Sequence, residues 1–404
     1  MRKRIIIVFG LVLLISFYSC SKEPTKPEDT RELNYAEKSL VESDNKFGLK
    51  LFKEIIRQES DKNVFVSPLS ISMALGMTLN GANGSTRDAM IETLELAGLS
   101  EQQINESYKS LIELLVGLDP KVKFRIANSI WHRDDMIFEQ DFIDLNKDYF
   151  DALVSALDFN DPTAKDIINA WVEENTNGKI KEIVERINRD NVMFLINAIY
   201  FKGIWKYQFD ENATSDAQFS LPDGTQIPCK MMTQTGEFQY FANEKFQAID
   251  LPYGDALFSM VIFLPNPSVN IDSLIVELDQ NNWDQWVNLF QNENGTIFLP
   301  RFKLEYKLKM NDVLIALGMG VAFSSSADFT RMFKPGGLFI SEVNHKSFVE
   351  VNEEGTEAAA VTSVVIDRTS ASGFVMRADR PFIFAIREHH SGTILFIGKI
   401  VDPA

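Results

Sequence analysis

The sequence predicts an α+β fold in which residues 34–404 form one large domain. Segments with the three- and four-residue apolar spacing of helices dominate the first half of the chain, and short alternating segments typical of antiparallel strands dominate the second half. No internal repeat and no linker-like stretch interrupts this span. A single domain of this length is larger than usual, but the missing linker favours it over two or three smaller domains.

Composition and charge exclude several classes of protein. The chain has 404 residues, of which 45% are hydrophobic and 24% charged, so it is neither a disordered chain, a collagen-like fibre nor a small disulfide scaffold. Lys and Arg together number 40 and Asp and Glu 57, which gives a formal net charge of −17. Because the phosphates of nucleic acid would repel such a chain, we expect no nucleic-acid partner.

The first twenty residues are typical of a targeting segment. Residues 2–4 are basic, and residues 5–17 form an apolar run that is shorter than the roughly 20 residues a membrane-spanning helix needs. The small Ser19 directly before Cys20 resembles the lipobox of bacterial lipoproteins, in which the cysteine becomes the lipid-carrying first residue. We therefore expect a lipoprotein signal peptide over residues 1–19 and a lipid on Cys20. Ordinary secretion, with Cys20 as a bystander, is the alternative.

Residues 20–33 follow as a polar stretch that contains two prolines, and we expect a flexible tether between the lipid and the domain. Ser21 and the acidic tether resemble those of lipoproteins sorted to the outer membrane, so the domain is expected to face the periplasm or the outside of the cell. With Cys20 lipidated, Cys229 has no disulfide partner, and we expect it to be a buried or half-buried thiol.

Helices are predicted where apolar residues recur at helical spacing. The second of them begins at Ser67-Pro68, because a serine cap followed by a proline in the first turn is a helix start signal. The predicted helices cover residues 34–58, the stretch from 67 onward, 85–96, 100–117, 138–150, 163–176, two short segments near 270–290, and 309–318.

Strands are predicted where apolar residues alternate or form short runs. Residues 192–201 are almost continuously apolar and are therefore expected to be buried on both faces. Turn signals at 222–224 and 252–254 divide a strand-rich region. The predicted strands cover residues 122–130, 192–201, several segments within 218–265, and 296–306, 347–352, 374–378, 382–387 and 394–400.

The chain has none of the short motifs of zinc proteases, serine hydrolases or nucleotide-binding loops, and it has only four histidines. His389 and His390 are adjacent between two predicted strands, so a turn is favoured over a shared metal. No catalytic constellation can be assembled from these residues. We therefore expect no enzymatic activity, no cofactor and no metal.

Residues 353–373 stand out because a run of small and β-branched residues without proline follows Glu353-Glu354-Gly355. Every second residue from Thr356 is uncharged and compact, whereas the charges fall in the other set, so this segment has the pattern of a strand with one buried face. Gly355 would serve as the pivot. A permanent strand and a flexible Ala/Ser loop are the simpler interpretations of this pattern.

Five motifs, in order along residues 34–404, resemble those of the serpin family. The segment Glu353–Ala360 is similar, nearly residue for residue, to the hinge of inhibitory serpins. The lipobox and tether are similar to those of lipid-anchored bacterial serpins of the miropin type. The other matching segments are 63–71 at the start of the second helix, 197–205, 344–346, and the C-terminal signature 376–384.

This resemblance implies a serpin fold: a large mixed or antiparallel central sheet, smaller sheets, about eight or nine helices and an exposed reactive loop. It also implies a monomeric inhibitor of serine endopeptidases that acts as a suicide substrate, with cysteine endopeptidases as an additional class of target. A protease cleaves the loop, the loop inserts into the central sheet, and the protease stays covalently bound and distorted. A serpin-fold surface binding protein without inhibitory activity is the alternative.

The resemblance also assigns roles to individual residues. The hinge is expected to comprise Glu353, Glu354, Gly355, Thr356, Glu357, Ala358, Ala359 and Ala360. The shutter, where the sheet opens, is expected to comprise Ser67, Ser70, Asn197 and His345. For His345, an ordinary hydrogen-bonded core histidine is the alternative.

Two bonds compete as the reactive bond. The commonest serpin spacing selects Thr369–Ser370, and a loop one residue shorter selects Arg368–Thr369. Arg368–Thr369 is preferred, since Arg368 is the only long basic residue between Gly355 and Arg377 and suits the buried carboxylate of trypsin-like proteases. Thr369–Ser370, or bonds at Val365 and Ile366, would suit elastase-like proteases.

Overall fold

The computed structural model describes residues 31–356 and 373–404. The chain divides into two units, Met1–Glu32 and Leu33–Ala404, and the second unit is compact. The predicted signal peptide, Cys20 and all but the last three residues of the predicted tether lie outside the described residues. Among the described residues, no helix has both the length and the apolarity needed to span a bilayer.

The helices begin at strong capping signals. Asn34 and Glu37 form a capping box at the start of α1, and Ser67 caps α2, with Pro68 as its first helical residue. The described residues contain nine α-helices: α1 Tyr35–Gln58, α2 Pro68–Leu79, α3 Gly84–Thr93, α4 Glu101–Leu115, α5 Gln140–Phe150, α6 Ala164–Asn175, α7 Ile271–Glu277, α8 Gln280–Asn288 and α9 Asn311–Leu314.

The strands follow the alternating and continuous apolar segments of the chain. In order they are β1 Val64–Val66, β2 Val122–Arg133, β3 Ala152–Leu157, β4 Met193–Ile204, β5 Ser215–Ser220, β6 Gln226–Ala242, β7 Phe246–Tyr253, β8 Phe258–Pro265, β9 Gln291–Pro300, β10 Phe302–Lys309, β11 Asn344–Val351, β12 Gly355–Thr356, β13 Phe374–Arg377, β14 Phe382–Glu388 and β15 Ile394–Ile400. Cys229 lies in β6 as a half-buried free thiol, as predicted.

These strands form two sheets. A six-stranded mixed sheet has the order β10-β11-β12-β4-β2-β3, in which only the β2–β3 pair is parallel. A nine-stranded sheet has the order β1-β15-β14-β8-β7-β6-β9-β13, with β5 added at β6. Helix α2 packs between them, against β4 of the first sheet and β15 of the second. The predicted serpin fold is therefore confirmed.

Several predicted elements differ from the observed ones. Strands β1 and β3 were not predicted, because β1 has only three residues and β3, with the sequence ALVSAL, does not alternate between apolar and polar residues. The predicted strand 296–306 is two strands that meet at Arg301. The predicted helix 309–318 is α9 followed by a π-helical turn, in which Gly318 has a φ of 116° that an α-helix does not accept.

The expectation that residues 192–201 are buried on both faces holds only for the second part of β4. Met193, Phe194 and Leu195 are half-buried, because they line a cavity of about 80 Å³ beside α2 and residues 338–343. From Ile196 onward, most of the strand is covered.

Candidate functional site at the hinge and the shutter

The hinge begins at a buried carboxylate. Glu353, only 3% exposed, accepts a hydrogen bond from Arg301 Nε at 2.7 Å and another from the Thr214 hydroxyl. A second guanidinium nitrogen, Arg301 Nη2, is also 2.7 Å from the same oxygen. Because a buried carboxylate is stable only when it is paired, this cluster ties the start of the hinge to the junction of β9 and β10.

Asn352 turns the chain from β11 into the hinge. Its side-chain oxygen accepts hydrogen bonds from the backbone N–H groups of Glu354 at 3.1 Å and Gly355 at 3.2 Å. Trp205 holds the turn from the side of β4: its indole N–H donates to the Asn352 carbonyl and its backbone N–H to the Glu354 carbonyl, both at 2.9 Å. The turn is therefore fixed by specific hydrogen bonds on both sides.

The first hinge residues already form a strand in the six-stranded sheet. Thr356 pairs with Val351 of β11 and with Gly203 of β4, and Gly355 pairs with Ile204. A Cβ atom at Gly355 would lie 2.1 Å from the Gly203 carbonyl oxygen, so only glycine allows this close approach. Thr356 is 2% exposed, and its hydroxyl lies 2.6 Å from that of Tyr253.

The remaining predicted hinge residues and all candidate reactive-bond residues lie outside the described residues. They are Glu357, Ala358, Ala359, Ala360, Val365, Ile366, Arg368, Thr369 and Ser370. Their roles stay predictions.

Beyond β12, the sheet has a discontinuity between β4 and β11. Both strands are antiparallel to β12 and hence parallel to each other, and among the described residues no hydrogen-bonded ladder joins them directly. Apart from the two-residue strand β12, the sheet therefore has facing strand edges along this line. A strand inserted here would pair on both sides.

The four predicted shutter residues meet at this discontinuity. Ser67 and Ser70 lie at the start of α2, Asn197 lies on β4 and His345 on β11. The Ser70 hydroxyl donates to the Asn197 carbonyl at 3.3 Å, and the Ser67 N–H donates to His345 Nε2 at 3.3 Å. The structure thus brings all four together and connects α2 to both facing strands.

His345 is neutral at ordinary pH. Burial lowers its pKa to about 4. Its Nε2 accepts the Ser67 N–H, so this nitrogen carries no proton. The Ser67 hydroxyl donates to the Leu395 carbonyl of β15 at 2.7 Å, which extends the hydrogen-bond network to the second sheet. Separation of β4 from β11 at His345 would therefore not expose a charged imidazole.

Sequence reasoning gave no role to several participating residues, including Asn128, Arg301 and Tyr253. Asn128 of β2 accepts the Asn197 amide at 2.7 Å and donates to the Phe150 carbonyl at 2.6 Å. Arg301 pairs with Glu353, and Tyr253 contacts Thr356. A polar residue within a predicted buried strand was the only signal for Asn128, and Tyr253 was placed in a predicted turn.

The Serpin (serine protease inhibitor) family model matches residues 42–403. The chain belongs to the serpin family. Human neuroserpin is 34% identical to it over 355 residues, which cover 85% of this chain and 87% of the relative. An uncharacterized serpin-like protein of Thermococcus kodakarensis is 34% identical over 373 residues, 91% of this chain and 86% of the relative.

Solved serpin structures share the fold. The thermophilic serpin tengpin in its native state superposes with a TM-score of 0.83 at 32% identity, covering 92% of this chain and 96% of tengpin. Human thyroxine-binding globulin in complex with thyroxine superposes with a TM-score of 0.82 at 26% identity, covering 91% of this chain and all of that one. Serpins are generally protease inhibitors rather than enzymes, and one of these structural relatives is a globulin that binds thyroxine.

Proposed function

We propose that this serpin inhibits serine endopeptidases, and cysteine endopeptidases of similar specificity, as a suicide substrate. One observation carries the proposal: Gly355 pairs with β4 and Thr356 with both β4 and β11, at the end of a line along which no ladder joins the two strands in the part of the chain that the structure describes. The rest of the hinge has small side chains that suit continued pairing along this line. The chain would then act on proteases without being an enzyme.

The proposed chemistry belongs to the protease. Its serine or cysteine attacks the carbonyl carbon of the reactive bond, an ester or thioester forms, and the amine of the following residue leaves with a proton from the protease histidine. The freed hinge side inserts between β4 and β11 and pulls the acylated protease with it. Distortion of the oxyanion hole then stalls deacylation, because losing one donor removes about 2.7–4 kcal/mol of transition-state stabilisation.

Insertion supplies the driving force. Each new backbone hydrogen bond contributes roughly 0.5–1.5 kcal/mol net, and an inserted strand would form bonds on both sides. In the inserted strand, the residues that alternate with Thr356 would face the interior; all are compact and uncharged: Ala358, Ala360, Thr362, Val364 and Ile366. The intact protein is therefore proposed to be kinetically trapped.

We assign the reactive bond to Arg368–Thr369 and expect trypsin-like proteases to be the preferred targets. Arg368 is the only long basic residue in this part of the loop, and such a side chain suits the buried carboxylate of a trypsin-like pocket. Thr369–Ser370, with elastase-like targets, is the second choice. Arg368→Ala is expected to abolish trapping of trypsin while trapping of elastase persists. If this variant still trapped trypsin as wild type does, the reactive bond would have to be assigned to another position.

Incubation with trypsin tests the inhibitory function. Denaturing gels are expected to show a stable adduct of summed mass, and mass spectrometry of the released C-terminal peptide identifies the cleaved bond. Complete turnover to cleaved product, with active trypsin remaining, would show that the protein is a substrate of trypsin and not its suicide inhibitor. The same assay with pancreatic elastase covers the second bond.

A carrier function without inhibition is the second candidate, and a cavity favours it. The cavity has a volume of about 570 Å³ and has aromatic walls that include Trp205 and Phe290. At its base, Arg387 pairs with the buried Asp250 at 2.8 Å and His389 contacts the Ser259 hydroxyl at 2.9 Å. Thyroxine-binding globulin shares the fold, so thyroxine is a suitable probe. A thyroxine-dependent rise in melting temperature without protease adducts would favour this candidate.

We further propose that residues 1–19 are a lipoprotein signal peptide and that lipid on Cys20 and a tether over residues 20–33 hold a monomeric domain, residues 34–404, at the bacterial outer membrane, as in serpins of the miropin type. The Ser19-Cys20 lipobox and the polar tether support this. Radioactive palmitate is expected to label the wild-type protein but not Cys20→Ala, which should move from the membrane fraction to the soluble fraction. Equal labelling of both would refute lipidation at Cys20.

A further inference from the structure

The hydroxyl of Tyr253 lies where the hinge enters the six-stranded sheet. Tyr253 is the last residue of β7 and is fully buried, and its hydroxyl is 2.6 Å from the Thr356 hydroxyl. Among the described residues, this is the only hydrogen bond of the Tyr253 hydroxyl. Since a buried hydroxyl without a partner is unfavourable, the pair favours the conformation in which Thr356 is inside the sheet.

The ring of Tyr253 is positioned by packing at the end of β4. Trp205 stacks on it with ring centroids 4.3 Å apart and an interplanar angle of 10°, and Phe201 packs edge-on at 5.2 Å. A Cβ atom at Gly203 would lie 2.7 Å from the ring, so glycine at this position lets the ring lie against β4. Packing against the end of β4 therefore directs the hydroxyl at Thr356.

We propose that Tyr253 is a positioning residue for loop insertion, because its hydroxyl holds Thr356 as the first paired residue of the inserting strand before any protease acts. This inference rests on the proposed inhibitory function. Starting a new strand requires ordering several residues before the new contacts compensate. With Thr356 already paired to Val351 and Gly203, insertion only extends a strand that exists.

The speed of insertion determines how each protease encounter ends. Once the acyl-enzyme has formed, insertion that outruns deacylation traps the protease, and deacylation that outruns insertion releases active protease and cleaved inhibitor. Tyr253 and Thr356 do not contact the reactive bond in this scheme. They should therefore change the stoichiometry of inhibition, defined as inhibitor molecules consumed per protease trapped, without changing which bond is cut.

The test compares full-length wild-type protein with Tyr253→Phe, Thr356→Val, their double variant and Thr356→Ser, using trypsin, or pancreatic elastase if elastase is the protease that the wild type traps. Losing this hydrogen bond is expected to raise the stoichiometry of inhibition roughly two- to tenfold in Tyr253→Phe and Thr356→Val. The double variant should be no worse than either single variant, since both remove the same bond. Thr356→Ser, which keeps the hydroxyl, should stay close to wild type.

Tyr306→Phe is the matched control. Tyr306 is a buried tyrosine of the same sheet, on β10, whose hydroxyl donates to Glu59 at 2.8 Å. Strand β11 separates it from the hinge strand β12, and it pairs with Ser347 rather than with Val351, the partner of Thr356. It should lower the melting temperature but leave the stoichiometry unchanged. An unchanged or lower stoichiometry in Tyr253→Phe, or additive effects in the double variant, would overturn the inference. Absence of any adduct with wild type would instead overturn the proposed function.

Discussion

Asp44 is a carboxyl group buried among three helices. It lies on α1, accepts the Tyr108 hydroxyl from α4 at 2.9 Å, and also faces Ser72 of α2. Its second oxygen has no hydrogen-bond partner among the described residues. Burial raises the pKa of Asp44 from 3.8 to about 7, so the acid is held neutral through much of the mildly acidic range.

We predict that Asp44 makes the protein less stable as the pH rises from about 4 to about 7. The unfolded chain releases the Asp44 proton near pH 4, whereas the folded chain keeps it until about pH 7, so the free energy of unfolding falls across this window. The full difference is on the order of 4 kcal/mol. The difference in melting temperature between Asp44→Asn and wild type should therefore be more favourable to the variant at pH 7 than at pH 4.

Asp61→Asn, at an exposed aspartate, is the control for this substitution and should keep the wild-type pH dependence. An Asp44→Asn variant that melts with the wild-type slope would show that the buried carboxyl does not titrate in this window.

The Arg301–Glu353 pair gives a second prediction at the residue scale. Glu353 is buried, while Arg301 is 43% exposed, so removing the arginine leaves an unpaired carboxylate at the start of the hinge. Arg301→Ala is expected to destabilise the protein by about 2–4 kcal/mol, less than a fully buried pair would because water reaches the site. Urea unfolding measures this loss.

The surface pair between Lys303 and Glu350 is the matched control, since its atoms are 3.6 Å apart and both side chains are exposed. Lys303→Ala should change stability by less than about 1 kcal/mol. Similar losses in both variants would mean that the Glu353 pair has no special role.

At the scale of elements, the shutter joins the start of α2 to β4 and β11 through uncharged groups. The sequence predicted the start of α2 well, because Ser67 and Pro68 are local signals. It predicted a strand-like pattern from Thr356 onward, but not that Gly355 and Thr356 are already paired in the intact protein. This pairing could not be predicted because it depends on partners on β4 and β11, which are distant in the chain.

His345 gives the shutter a predicted sensitivity to acid. As the pH falls through about 6.5, the unfolded chain binds a proton at His345, but the folded chain resists until about pH 4 because burial lowers this pKa. The His345 contribution should therefore lower the stability across this window by on the order of 3 kcal/mol. The difference in melting temperature between His345→Asn and wild type should be more favourable to the variant at pH 4 than at pH 7.

His132→Asn is the control, since His132 is only half-buried on β2. Its melting temperature should differ from that of wild type by the same amount at pH 7 and at pH 4. If the difference between His345→Asn and wild type is also the same at both pH values, His345 does not cause the predicted sensitivity to acid.

At the scale of the whole molecule, local periodicity predicted most of the helices and strands. Motifs of the family grouped Ser67, Ser70, Asn197 and His345, which the structure places close together, and their role in opening the sheet stays a prediction. It could not predict that Tyr253 meets Thr356, since 103 residues separate them and the contact exists only after both sheets have formed. Asp44 was missed for the same reason. Within the sequence of α1 it is a polar residue like its neighbours, and it is buried only because α2 and α4 pack against it.

The insertion model makes a final prediction for the whole molecule through Thr356→Arg. Position 356 is buried against Tyr253, so an arginine there would bring an unpaired charge into the sheet, which is strongly unfavourable. The hinge should leave the sheet, and a cleaved loop should no longer insert. We expect this variant to be cut by trypsin without trapping it, and its cleaved form to melt no higher than its intact form.

The wild-type protein should behave in the opposite way, because insertion adds a strand with hydrogen bonds on both sides: its cleaved form should melt well above the intact form. Thr225→Arg, in the exposed turn between β5 and β6, places the same charge away from the sheet and should trap trypsin as wild type does. Full trapping by Thr356→Arg would mean that the protease is held by something other than an inserted strand, since a charged residue at this buried position and a completed strand exclude each other.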